Sequence, residues 1–239
     1  MRRQPAMTIG LSLFMTSAVL AGEATAVSIA SNGGRASASA TAVGHSDSFA
    51  VAGATNGGRA ISTSDAIGER NGYASSRSIA TANRGLAVSR SLADARGYFG
   101  GSAIADSESI AATLGGVAFS NSRANARGTY RGDARSRSTS WALSEYGTSI
   151  SDSRASSRGR FGGRAMSTSD SVADSLGGMS RSRTRVISDA RYHATATADG
   201  VGMSRSGWTY SNQARVRVES RAVRFGHSHS RAVMIRVRP

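Results

Sequence analysis

The sequence predicts an all-β repeat fold, a β-solenoid-like stack of strands whose inner faces are written in Ala and Ser. Three observations predict it: side-chain size alternates with period two, the alternating runs recur at a fixed interval, and the connections between them alternate in type. Period two is the strand signature, because successive side chains project to opposite faces.

Small residues hold every second position, as in Ala87, Ser89, Ser91, Ala93, Ala95 and again in Ala103, Ala105, Ser107, Ser109, Ala111. The intervening residues are usually apolar at the start of a run (Ile61, Val88, Ile104, Phe119, Ile150, Met166) and apolar again at its end (Ile67, Ile110, Trp141, Val172, Ile187). Between them sit polar or charged groups such as Arg90, Asp106, Glu108, Asp152, Arg154 and Asp170. The small face reads as interior and the mixed face as exterior.

Runs begin at 87, 103, 118, 134, 149, 165 and 180, so steps of 16 and 15 alternate and the unit is 31 residues with two strands. Longer connections such as Arg96–Gly101, Arg127–Gly132 and Arg158–Gly163 alternate with shorter ones such as Leu114-Gly115-Gly116 and Leu176-Gly177-Gly178. Glycine there is expected to supply the positive φ of tight turns, and a fixed period of this size marks a repeat architecture. A two-sheet solenoid folds the Ala/Ser face against itself. The alternative, an antiparallel β-meander or barrel, leaves that face with nothing to cover it.

The ends differ from the middle. Arg2 and Arg3, the apolar run Met7–Leu20 and the small residues Ala24-Thr25-Ala26 read as a signal peptide over residues 1–26. Residues 27–213 form the repeat region, and 214–239 are expected to form an Arg-rich C-terminal hairpin or cap with Val216, Val218, Val233, Ile235 and Val237 as a bulkier apolar face. The leader places the protein outside the cell or at its surface.

There is no cysteine, so neither disulfides nor thiol chemistry enter, and all 30 basic residues are arginine. Charge is unevenly spread: residues 27–120 carry 7 Arg against 6 Asp and Glu, while 121–239 carry 21 against 8. A basic half of this kind attracts anionic polymers. The residues expected to carry such binding are Arg135, Arg137, Arg181, Arg183, Arg185, Arg215 and Arg217, with Trp141, Phe161, Trp208 and Tyr210 nearby in sequence.

Catalytic patterns are absent from the sequence. Without lysine there is no P-loop GK and no Schiff-base amine; G-x-S-x-G, G-x-G-x-x-G and H-E-x-x-H do not occur. His227 and His229, two apart, would share one face of a strand as half of a metal site, with no third ligand to name. Arg131-Gly132-Asp133 spells the integrin tripeptide inside a predicted turn, in a chain rich in all three residue types. No enzyme, cofactor or small-molecule substrate is expected. The expectation is a structural or adhesive surface or matrix protein that associates with itself or other matrix components, the alternative being a module for anionic polysaccharide, lipid or nucleic acid.

Overall fold

The computed structural model describes residues 13–19, 22–69, 72–98, 102–130, 133–161, 164–192, 195–206, 211–224 and 226–237. In chain order the strands are β1 (Leu13–Val19), β2 (Gly22–Ala30), β3 (Arg35–Val43), β4 (Ser46–Ala54), β5 (Arg59–Gly68), β6 (Tyr73–Ala82), β7 (Leu86–Gly97), β8 (Ala103–Gly128), β9 (Ala134–Arg160), β10 (Arg164–Ser175), β11 (Met179–Arg191), β12 (Thr195–Ser206), β13 (Asn212–Val223) and β14 (His227–Val237). β8 and β9 are long because each runs through a corner. Its first half lies in one sheet and its second half in the other.

The result is a β-solenoid of two stacked parallel sheets. Sheet I runs β1, β3, β5, β7, then the second halves of β8 and β9, then β11 and β13. Sheet II runs β2, β4, β6, then the first halves of β8 and β9, then β10, β12 and β14. Every strand pair among the described residues is parallel, so the meander and barrel alternatives do not apply. The parallel register sets each small residue over another small residue, as Ser89, Ser120, Ser151 and Ser182 do, and so lets the sheets close evenly.

The interior is mostly Ala and Ser, with a few exceptions such as Thr113, Thr184 and Asn212, and Val186 is the largest fully buried side chain. Serine hydroxyls bridge the sheets in a zigzag along the axis. Ser107 Oγ donates to the Ser91 carbonyl at 2.8 Å, Ser122 Oγ to the Ser107 carbonyl at 2.6 Å, and Ser153 Oγ to the Ser138 carbonyl at 2.7 Å. A second zigzag runs through Ser78, Ser89, Ser109, Ser120, Ser140 and Ser151. The Arg123 amide donates to Ser107 Oγ at 3.1 Å, so a side chain one carbon long reaches the opposite backbone. The sheets therefore approach much closer than the usual separation of about 10 Å. Each hydroxyl bond adds a net stabilisation of about 1 kcal/mol, and its loss strands a buried polar group.

The coil widens along the axis. Within sheet I, Leu13 lies against Ala36, Arg35 against Arg59, Arg59 against Leu86 and Leu86 against Val117, so each successive coil takes up more chain. From there the step is nearly constant, as Thr148 against Met179 and Ser180 against Asn212 show. The 31-residue unit, read from run starts at 87 onward, thus does not extend to the first coils. Strand length changes with the step, from 9 residues in β3 to 12 in β7.

The C-terminal stretch is not a hairpin. β13 pairs with β11 and β14 with β12, in parallel, as one further coil. Val216 and Val218 do point inward, in register with Thr184 and Val186. Gly200 and Gly202 make room for them: a Cβ on Gly200 would meet Val218 Cγ2 at 2.8 Å, and one on Gly202 would meet Val216 Cγ2 at 2.6 Å. Val233, Ile235 and Val237 instead face outward, because β14 continues the register of Val201, Met203 and Arg205. Residues 22–26, at the end of the expected leader, lie in β2, where Ala24 and Ala26 are buried.

Two ladders define the corners. At one corner Gly58, Gly85, Gly116, Gly147 and Gly178 stack, and a Cβ on any of them would collide with the carbonyl of the glycine one coil below, which for Gly58 is Gly34. Of these five only Gly116 has a positive φ, so the expected turn requirement is mostly a close-approach requirement. At the other corner Tyr130, Phe161 and Tyr192 adopt φ of 54°, 56° and 61°, uncommon for non-glycine residues. Their rings stack at 5.2 and 4.9 Å, and the Arg224 guanidinium covers Tyr192 at 5.1 Å.

Candidate functional site: an arginine-lined sheet face

Outward side chains in a parallel in-register stack form columns along the axis, one residue per coil. On sheet I one column is Arg123, Arg154, Arg185 and Arg217 on four consecutive rungs. A second is Arg96, Arg127 and Arg158. Neighbouring guanidinium-bearing residues are thus about 4.8 Å apart along the axis, the strand spacing. Arg183 and Arg215 form a shorter third column on the other side of the first.

Between the two long columns lie Asn125, Ser156 and Ile187. Together they make a groove of about 240 Å³. Its walls are partly compensated. Asp152 holds Arg154 at 3.0 Å and Glu219 holds Arg217, while Asp189, which interrupts the second column, turns to Arg191 at 3.2 Å. Arg123, Arg127, Arg158 and Arg185 have no carboxylate partner among the described residues.

The outer face of sheet I from Val117 to Val223 carries twelve arginines against three carboxylates. The outer face of sheet II from Ala103 to Val237 carries five of each. Charges there also sit beside opposite charges. Arg77 pairs with Glu108 at 2.7 Å, and Arg137 lies beside Asp106 in register. Burial pushes the Asp106 and Asp170 carboxyls above the ordinary range, while Arg137 pulls both back down.

The seven arginines singled out by sequence therefore do not form one cluster. Arg181, Arg183, Arg185, Arg215 and Arg217 share the sheet I face. Arg135 and Arg137 lie on sheet II, on the opposite side, because they belong to the first half of β9. Sequence reading missed Arg123, Arg127, Arg154 and Arg158. The signal was there, since Arg123 and Arg154, like Arg127 and Arg158, are separated by one repeat unit and so fall on a shared column.

The aromatic groups are not neighbours of that face in the manner expected. Trp141 is on sheet II, Phe161 has both ring faces occupied in the corner stack, and Trp208 and Tyr210 lie outside the described residues. Sheet II instead carries an unbroken apolar column: Val27, Val51, Ile79, Ile110, Trp141, Val172, Met203 and Ile235. Beside it Leu114, Leu143 and Leu176 line an open apolar groove of about 480 Å³.

His227 and His229 are both exposed on the outer side of β14, and no third potential ligand joins them among the described residues. Arg131 and Gly132 lie outside the described residues. The Asp133 carboxylate accepts the Arg164 amide at 3.2 Å. No family model, curated protein or solved structure matches this chain.

Proposed function

We propose that this protein is an exported structural and adhesive rod of the cell surface or extracellular matrix, which holds anionic polymer through the arginine face of sheet I. The observation that carries this reading is the stacking of like charges. In-register arginines on adjacent strands repel and destabilise the sheet that bears them, yet four consecutive rungs keep them, whereas on sheet II Asp106 sits beside Arg137 and Glu108 beside Arg77. A ligand of opposite charge accounts for that arrangement; folding alone does not. The apolar column of sheet II supports the adhesive part by offering a second contact surface. Export through residues 1–26 belongs to the same proposal.

The test compares two quadruple variants of the full chain on immobilised heparin across a salt series. One removes the column (Arg123→Ser, Arg154→Ser, Arg185→Ser, Arg217→Ser). The other removes the same charge elsewhere (Arg35→Ser, Arg59→Ser, Arg135→Ser, Arg205→Ser). The column variant is expected to elute at much lower salt, since fewer contacts release fewer counterions. Equal elution of the two variants contradicts the reading, because net charge alone would then explain retention.

A further inference from the structure

We infer that the groove on sheet I takes a single linear uronate-type polysaccharide, lying parallel to the long axis with one anionic sugar per rung. This rests on the polyanion reading above and narrows it to one polymer. The first support is spacing. The arginine columns repeat at about 4.8 Å, the distance between strands, and a pyranose unit advances an extended glycan by about as much. Phosphates of one duplex strand are spaced about 3.4 Å along the helix axis, out of step with the columns.

The second support is width. The two columns stand four residues apart on each strand, as Arg123 and Arg127 do, which is about 13 Å of extended chain. One polymer strand fits between them, whereas a duplex laid on so flat a face touches it along a single line. The third is the floor. Asn125 and Ser156 present neutral hydrogen-bonding groups to sugar hydroxyls and Ile187 presents an apolar surface to a ring, while Glu219 on the next rung ends the neutral floor.

The fourth is that no aromatic side chain lines this groove, Tyr98 lying on the far side of the second column. Single-stranded nucleic acid is held largely by bases stacked on aromatic faces. Here Phe161 is sandwiched between Tyr130 and Tyr192, and Tyr192 is covered by Arg224. Arginine's planar fork can hold each uronate carboxylate through two parallel bonds, as it also can a phosphate.

The experiment is calorimetric titration of the full-length protein with oligogalacturonides of increasing length, and with oligothymidylate of matched charge. Affinity for the oligogalacturonides should rise steeply up to about three sugars, one per rung of the groove, and then level off, as expected when linked contacts saturate. Arg127→Ser with Arg158→Ser should weaken oligogalacturonide binding by about tenfold or more, the scale of lost charge-assisted bonds, with the circular dichroism spectrum unchanged. Oligothymidylate should bind more weakly and respond less.

If oligothymidylate binds as tightly as the matched oligogalacturonide, the uronate assignment is wrong while the polyanion reading stands. Oligogalacturonide binding indifferent to the double variant would overturn the groove. If neither polymer binds, both fall.

Discussion

Ser122 shows how much each interior position has to satisfy. It is fully buried, donates to the Ser107 carbonyl at 2.6 Å and accepts from Ser138 Oγ at 3.0 Å. Its sequence neighbour Asn121 is on the outer face, in register with Arg90 and Asp152. A leucine at 122 has no space between sheets this close, and it also strands the groups that bonded the hydroxyl. Ser122→Leu should therefore lower the melting temperature sharply, with a cost of at least about 1–3 kcal/mol from overpacking alone. Asn121→Leu should shift it little. Thermal denaturation of the two variants decides the point, and similar losses for both contradict the face assignment.

Alternation made this scale legible in the sequence. A serine at every second position already implied an inward small face, and the buried set follows it from Ala24 to Ala214. The partners of the hydroxyls were not legible. They depend on the closeness of two sheets whose strands are separated by a corner, which no local pattern encodes.

The elements are held in place by their corners. The glycine ladder sets the approach of one coil to the next, so it should tolerate no side chain at all. Gly147 is the clearest case, since it has no positive φ and the obstacle is the Gly116 backbone itself. Gly147→Ala should destabilise the fold, reversing the gain of roughly 0.4–1 kcal/mol that the same replacement brings in unobstructed backbone; chemical denaturation measures it. A neutral or stabilising effect would mean that the coils are not pressed together at this corner.

Strand positions and the two kinds of connection were readable from the regular alternation of the run starts. Two element-scale features were not. The parity of Val233, Ile235 and Val237 depends on where β14 starts relative to β12, and the intervening residues offered no periodic cue. Likewise nothing local explains Gly200 and Gly202. Their reason is Val216 and Val218 on the opposite sheet, too distant in sequence to suggest it.

At the scale of the whole molecule, the solenoid turns sequence period into surface. A residue repeated once per unit becomes a line of identical groups, and halving the unit sends alternate runs to opposite faces. The excess of arginine after residue 120 is thereby gathered on sheet I, while sheet II stays balanced. The total charge and its bias toward the second half were legible from the sequence. Its segregation by face was not, because Arg135 and Arg137 are close in sequence to Arg154 and Arg158 yet a corner separates them.

The widening coil bears on assembly. Past the expected leader Arg35 meets Arg59 and Ser46 meets Ala74, a shorter step than at the other end, where Ser180 meets Asn212 and Thr195 meets His227. Two copies stacked end to end would therefore meet through coils of unequal length.

The fold, the arginine columns and the groove all require that residues one repeat unit apart be direct neighbours in one sheet face. The chain has no native cysteine, so paired cysteines report this cleanly. Asn125→Cys with Ser156→Cys should oxidise readily to an intramolecular disulfide, because adjacent parallel strands place their Cα atoms about 4.8 Å apart, inside the bridging range. Ser156→Cys with Ile187→Cys should do the same. Asn125→Cys with Ile187→Cys, two rungs apart, should stay reduced. Bridging of the two adjacent pairs, with the distant pair free, is the predicted result. Failure of the adjacent pairs, or bridging only between molecules, would contradict the parallel stack and the arginine columns built on it.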